Sequence, residues 1–176
     1  MSKTKVSRTD CPQERLKGWL FSNRRELPWR EQVSPYAVWV SEVMLQQTQV
    51  SVVVPYFKRW MALFPTISAL AKAPLEQVIK TWEGLGYYSR ARNLHAGAKF
   101  LCDHYRGDLP KDPSILKKVK GLGPYTIGAI LSFAFKQKAA AVDGNVLRVL
   151  SRYFCIEQEI DQGKTRKEIE AKAFTF

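Results

Sequence analysis

Apolar residues recur along this chain at spacings of three and four, and no stretch shows the period-two alternation of a half-buried strand. The pattern predicts helices throughout. Pro12 opens a first helix to about Asn23, with Leu16, Trp19 and Leu20 on one face, and Leu27-Pro28-Trp29-Arg30 breaks it. Pro35 starts a second that reaches Thr48, and Pro55 suits the first turn of a third through Leu63. Thr66 caps a short helix to Lys72. Pro74 begins another, ended by Gly84 and Gly86, and Tyr87 to Tyr105 reads as a long helix with a basic face. Pro113 to Val119, Gly121-Leu122-Gly123 and Pro124 to Phe135 read as helix, tight hairpin and helix. Asp143 caps a further helix to about Phe154. Thr165-Arg166-Lys167-Glu168 has capping-box spacing for a last one. That helix meets Phe176 with no stop signal, so the chain reads as cut inside an element.

Composition narrows the class. Of 176 residues, 45% are hydrophobic and 12% aromatic, enough to build a core and exclude disorder. The formal charge of +12 calls for a polyanion. No segment resembles a basic amphipathic anchor, which favours nucleic acid over a membrane surface. No apolar run approaches the roughly 18 residues needed to span a bilayer. Residues 1–11 are polar and basic, without the apolar stretch of a secretory signal, and read as a disordered arm. Cys11, Cys102 and Cys155 form no CxxC pair and no zinc-type cluster, as expected of packed or idle thiols in a reducing, intracellular compartment. His95 and His104 have no metal-ligand companions, and no metal site is expected in this chain.

Four groups of residues can carry chemistry. Lys120-Gly121-Leu122-Gly123 lets the chain turn with free φ at both glycines. The helix after it begins at Pro124, presenting unpaired N–H groups and the positive end of its dipole to a phosphate, with Lys117, Lys118 and Lys120 beside it. By itself the motif also fits a plain turn between packed helices. Asp143 stands 20 residues beyond Gly123, in Val142-Asp143-Gly144-Asn145-Val146. Taken alone it fits an ordinary N-cap first; it also fits a carboxylate facing a cleft, where it could support an oxocarbenium ion at a sugar C1′. Glu42 has Val38, Trp39 and Leu45 as helical neighbours, so its carboxyl should be raised and suited to general acid work. One carboxyl to protonate a leaving group and another to support the cation is what glycoside hydrolysis requires. Finally, Gln46-Gln47-Thr48-Gln49 and Gly84-Leu85-Gly86-Tyr87-Tyr88 supply glutamine and tyrosine on loops, which can fill the gap left by an extruded base.

Together, Leu27-Pro28-Trp29-Arg30, Ser41-Glu42-Val43-Met44-Leu45-Gln46-Gln47-Thr48-Gln49-Val50, Gly84 to Arg92 and Val142 to Val146 resemble the MutY family of adenine DNA glycosylases, from about residue 12 to the end. The hairpin and downstream Asp are shared with the wider helix-hairpin-helix superfamily, endonuclease III included. The resemblance implies removal of adenine mispaired with 8-oxoguanine or guanine in double-stranded DNA. It implies that Glu42 protonates adenine N7 and handles water. Asp143 then stabilises the sugar cation, by charge or through a covalent intermediate, with Asn145 and Tyr125 supporting it. Arg25, Trp29, Arg30, Leu45 and Val50 would line the adenine pocket. Gln47 and Tyr87 would enter the duplex, with Thr48 and Leu85 near the opposing lesion, and Lys120, Gly121 and Gly123 would hold backbone phosphate. The family hairpin holds an alkali-metal ion on backbone carbonyls. The family also carries a [4Fe–4S] cluster on four cysteines beyond the Asp143 helix, whose ligands this chain lacks.

Two residues past the second hairpin glycine, glycosylase/lyases of the endonuclease III type place a Schiff-base lysine. Here that position is Tyr125, so excision without efficient strand cleavage is expected, Lys120 leaving room for weak nicking. The expected architecture is all-α. A six-helix barrel-like domain at 30–136 carries the hairpin at 113–135. An incomplete second layer, the iron-sulfur domain of the family, comprises 12–29 and 137–176, and the base enters the cleft between the two. The faces of Leu16-Trp19-Leu20 and Val146-Val149-Leu150 should have fewer partners there. A monomer acting inside the cell, in the cytoplasm or nucleoid if the source is bacterial, is the expected state. Two alternatives stay open: a superfamily member with another base preference, and a DNA-binding fragment without catalysis.

Overall fold

A computed structural model describes residues 11–176 and is helical, with no strand among the described residues. Ten of the eleven residues of the expected arm lie outside the described ones. The helices are α1 (Pro12–Asn23), α2 (Pro28–Glu31), α3 (Pro35–Leu45), α4 (Val50–Leu63), α5 (Ile67–Lys72), α6 (Leu75–Trp82), α7 (Ser89–Tyr105), α8 (Pro113–Leu116), α9 (Pro124–Ala129), α10 (Gly144–Tyr153) and α11 (Gly163–Thr175). A π-helical turn, Ile130–Ala134, extends α9, with Phe135 N–H donating to the Ile130 carbonyl at 3.2 Å.

Two hydrophobic cores form among the described residues. The larger runs from Leu27 to Leu131 and closes around Trp39, Trp60 and Trp82, none of them accessible to water. Trp60 packs edge-on against Trp82 and Phe64, with ring centroids 5.4 and 5.0 Å apart. Its Nε1 donates to the Tyr36 hydroxyl, which in turn donates to the Phe64 carbonyl, so the polar atoms of this aromatic centre are satisfied. The smaller core joins Val142, Leu147, Leu150 and Ile169, and couples α10 to α11. Leu27 and Trp29 belong to the larger core, whereas α1 buries no residue.

Several local expectations need correction. The break at Leu27–Arg30 contains the helical turn α2, with Arg30 N–H donating to the Leu27 carbonyl. Pro55 lies in the second turn of α4, not the first. It faces solvent and has no N–H to give the Ser51 carbonyl, while Val53, Phe57 and Trp60 on the opposite face are buried and hold the helix. The second predicted helix ends at Leu45 because Gln47 takes φ +57°, and the long one starts at Ser89 because Tyr87 takes φ +47°. The capping box at Thr165 does not form. Gln162 occupies the N-cap position of α11 without a side-chain bond, and Thr165 turns inward one helical turn before Ile169, where burial outweighs capping. Gly123 has φ −84°, which any residue adopts, so only Gly121, at φ +87°, uses a glycine's freedom in the hairpin.

Candidate active site

Helix α3 is the innermost element. Ser34 caps it by accepting from Ala37 N–H at 3.1 Å, and every residue from Tyr36 to Met44 is buried. A carboxyl within such a helix loses its hydration, and Glu42 is only 8% exposed. Burial is the dominant influence and raises its pKa above the ordinary glutamate value. The charge of Asp143 adds to the rise, while a hydrogen bond from Tyr125 and the charge of Arg30 oppose it. The Tyr125 hydroxyl donates to Glu42 Oε2 at 2.7 Å from the start of α9. Burial, and then Glu42 itself, push the Tyr125 hydroxyl far above its usual pKa, so it stays a donor.

Asp143 arrives from the smaller core. It is the N-cap of α10: Oδ1 accepts from Val146 N–H at 2.8 Å and Oδ2 from Asn145 Nδ2 at 3.1 Å. Half-buried, with both oxygens held, the carboxylate has one orientation. The segment leading to it lies against α9 at Gly128, where a Cβ would strike the Ala140 carbonyl, so any side chain there would push the strand of chain carrying Asp143 away from α9. Glu42, Tyr125, Asp143 and Asn145, spread over 103 residues of sequence, thus form one constellation. Tyr125 bonds Glu42 here, not Asp143, which corrects its expected partner.

The residues expected around the base distribute unevenly. Arg30 is exposed but close enough to Glu42 to act on its charge, and burial together with Arg24 and Arg25 lowers its own pKa. Its guanidinium reaches the Arg25 carbonyl at 3.4 Å. Trp29 is buried edge-on against Phe57 at 5.3 Å, a core position. Leu45 and Val50 are partly buried against the larger core. Gln47 is exposed, Tyr87 is 63% exposed, and both hold left-handed backbone, a conformation costing a non-glycine residue about 1 kcal/mol or more. Thr48 is half-buried. The Leu85 side chain is buried, so only its backbone is presented. Lys120, Gly121 and Gly123 are exposed on the hairpin, which Leu122 N–H closes onto the Val119 carbonyl at 3.1 Å.

Sequence reasoning missed Arg90. Only 7% exposed, it sends its guanidinium to carbonyls of both loops. Nothing in the local pattern distinguishes it from Arg92, which is exposed two residues on.

The three cysteines do not fit an iron-sulfur cluster. Cys11 begins α1, Cys102 lies in α7 beside Ser68, and Cys155 is exposed after α10. No cluster of three or more His, Cys, Asp or Glu able to hold a metal ion occurs among the described residues.

Residues 40–173 match the family described as HhH-GPD superfamily base excision DNA repair protein, and the chain belongs to it. Among named relatives, the adenine DNA glycosylase of Rattus norvegicus is 49% identical over 146 residues, covering 78% of this chain and 28% of that protein. A solved thermostable thymine-DNA glycosylase superposes with a TM-score of 0.82 at 28% identity, over 90% of this chain and 73% of that one. A trapped covalent intermediate of endonuclease III with DNA gives 0.75 at 26% identity, over 90% and 71%. The all-α helix-hairpin-helix glycosylase fold expected from the sequence is therefore the fold observed. The chain spans little more than a quarter of the rat relative's length.

Proposed function

We propose that this chain carries the chemical centre of an adenine DNA glycosylase, hydrolysing the N-glycosidic bond of an adenine mispaired with 8-oxoguanine or guanine and flipped out of duplex DNA. The observation that carries the reading is the buried Glu42, its carboxyl pushed above the ordinary glutamate value by burial, within electrostatic reach of a doubly held Asp143. As the C1′–N9 bond breaks, its electron pair leaves with the base, and the Glu42 proton passes to adenine N7. Asp143, fixed by Val146 N–H and Asn145, keeps its negative charge toward the sugar as the cation develops. Water then attacks C1′ and returns its proton to the Glu42 carboxylate. Tyr125 orients the acid, while Arg25, Arg30, Leu45 and Val50 bound the base.

Tyr125 holds the position of the lyase lysine and cannot form a Schiff base, which supports a monofunctional enzyme. The hairpin would take a phosphate on Lys120, Gly121 and Gly123. Its carbonyls are hard oxygen donors suited to an alkali-metal ion. Those of Val119 and Gly123 each already accept one N–H and keep a lone pair. The excess of 28 basic over 16 acidic residues supports binding to DNA, and the working state proposed is a monomer inside the cell. No helix among the described residues is long and apolar enough to cross a membrane.

Single-turnover excision on a duplex with adenine opposite 8-oxoguanine, developed with alkali, tests the reading. Wild type should release adenine and nick only after alkali. Glu42→Gln and Asp143→Asn should each slow release by about 10²–10⁴-fold while duplex binding survives. Rapid nicking without alkali would overturn the monofunctional assignment. The likeness to a thymine-DNA glycosylase favours one rival, a different base preference. Faster excision from another lesion duplex would establish it.

A further inference from the structure

The residues that would enter DNA sit on two loops forty residues apart, 46–49 and 83–88, and one side chain joins them. Arg90 Nη1 donates to the carbonyls of Val43, Met44 and Gln46 at 3.0, 3.0 and 2.6 Å. Its Nη2 donates to the carbonyls of Leu85 and Gly86 at 3.0 and 3.2 Å. Both nitrogens reach Thr48 Oγ1 at 3.3 Å. The guanidinium lies 5.2 Å from the Trp82 ring and 5.5 Å from that of Tyr87. None of the ion pairs among the described residues includes it. A cation buried this deeply and neutralised only by carbonyl dipoles and ring faces is a costly way to pack a core. A lysine could not replace it, because a single ammonium cannot reach both loops at once.

The loop tips are where the backbone is strained. Gln47 and Tyr87, each exposed, adopt φ +57° and +47°. Such conformations persist only when their surroundings fix them. Arg90 grips the residue before Gln47, the residue after it, and the residue before Tyr87. Its Nε donates to no protein group, and the side chain lines a cavity of about 30 Å³ with Gln46, Asn93, Lys120 and Gly121. That space suits one water between the loops and the hairpin.

We propose that Arg90 is a positioning residue for base extrusion: its planar fork holds both loops so that Gln47 and Tyr87 stand preformed to enter the duplex. This rests on the glycosylase reading and adds a residue to it. The purpose of such rigidity is to avoid ordering two loops at the moment of binding, which would otherwise weaken extrusion selectively and leave phosphate contacts unaffected.

The test uses this chain with Arg90→Lys and with Thr48→Val, which removes one acceptor of the fork. A duplex carrying 2-aminopurine at the target adenine reports extrusion by fluorescence, and an undamaged duplex titrated at several salt concentrations reports phosphate contacts. Arg90→Lys should keep its helical circular dichroism and the wild-type salt slope while extrusion weakens by about a hundredfold. Thr48→Val should weaken extrusion less, in the same direction. Unchanged extrusion in Arg90→Lys overturns the proposal. So does a fall in extrusion matched by equal losses of helicity and non-specific binding, since that marks a purely structural role. If Arg90→Lys does not fold, Thr48→Val decides: undiminished extrusion overturns the proposal. Extrusion without adenine release in wild type would sink the catalytic reading and leave Arg90's role standing. Absence of extrusion in wild type would overturn both.

Discussion

The two hydrophobic cores contribute one carboxyl each, and they differ in how completely they close. The larger core, which carries Glu42 on α3, closes around three tryptophans that water does not reach. The smaller core, which presents Asp143, closes only Val142, Leu147, Leu150 and Ile169, and its surroundings stay wet. Val149 and Tyr153 on α10 are more than half or about half exposed. On α1, Leu16, Trp19, Leu20 and Phe21 all face solvent, Trp19 at 62%. Leu16, Phe133, Val149, Tyr153 and Phe176 line an apolar cavity of about 480 Å³ beside Asn145. The expectation that the faces of α1 and α10 have fewer partners is met at Leu16, Trp19, Leu20 and Val149, whereas Val146 is partly buried against the smaller core and Leu150 is buried. The lesson is an asymmetry in the candidate site: Glu42 is held by a well-packed scaffold, and Asp143 depends on the thinner layer.

That asymmetry can be broken from either side. Trp60→Ala should have the largest effect, about 3–5 kcal/mol of global stability, because it empties the aromatic centre and orphans the Tyr36 hydrogen-bond chain. Thermal unfolding should show a single lowered transition, and selective loss of α10 and α11 would contradict it. Ile169→Ala should cost about 2–4 kcal/mol and act locally. Hydrogen exchange should rise in α10 and α11 while α3 stays protected, and excision should fall because Asp143 loses its platform. Uniform deprotection would show that the two layers unfold as one.

Tyr125→Phe removes the bond that opposes the rise in Glu42's pKa, so that pKa should climb further. With Glu42 as the proposed acid, the rate should fall as pH rises through this pKa, and the mutant's fall should begin at higher pH. The cost in stability should be about 1 kcal/mol, that of one hydrogen bond. A descending limb that moves to lower pH would refute the assignment. The smallest effect concerns Glu42→Gln. A carboxyl whose folded pKa is raised holds its proton longer in the native than in the unfolded state, so native stability drops as pH rises between the two values and stays reduced above. Replacing it with glutamine should therefore raise Tm at pH 7, by about 2–4 °C for each kcal/mol recovered. The gain should vanish below the unfolded pKa of glutamate. A gain that persists in acid would mean the mutation acts through packing.

Much of this was legible from local chemistry. The short helix behind Thr66 and the cap at Asp143 follow from side chains acting within one turn, the start of α1 from Pro12 in its first turn, and all three form as expected. The direction of Glu42's pKa shift was legible from its apolar helical neighbours Val38, Trp39 and Leu45, although the burial that dominates it and the charge of Asp143 that adds to it come with the tertiary structure. The misreadings at Pro55 and Thr165 share one cause: each sits on a helix whose buried face outweighs the local signal.

The order of residues alone determined the helices, the hairpin and the two carboxyls, because capping, periodicity and glycine's freedom at Gly121 act between near neighbours. Only the tertiary structure decided that Tyr125 donates to Glu42 across 83 residues, and that Arg90, rather than Arg92, turns inward to join two loops. Those choices depend on which groups the packed helices bring together out of water, where an unpaired polar atom is costly, and no single stretch of chain contains that information.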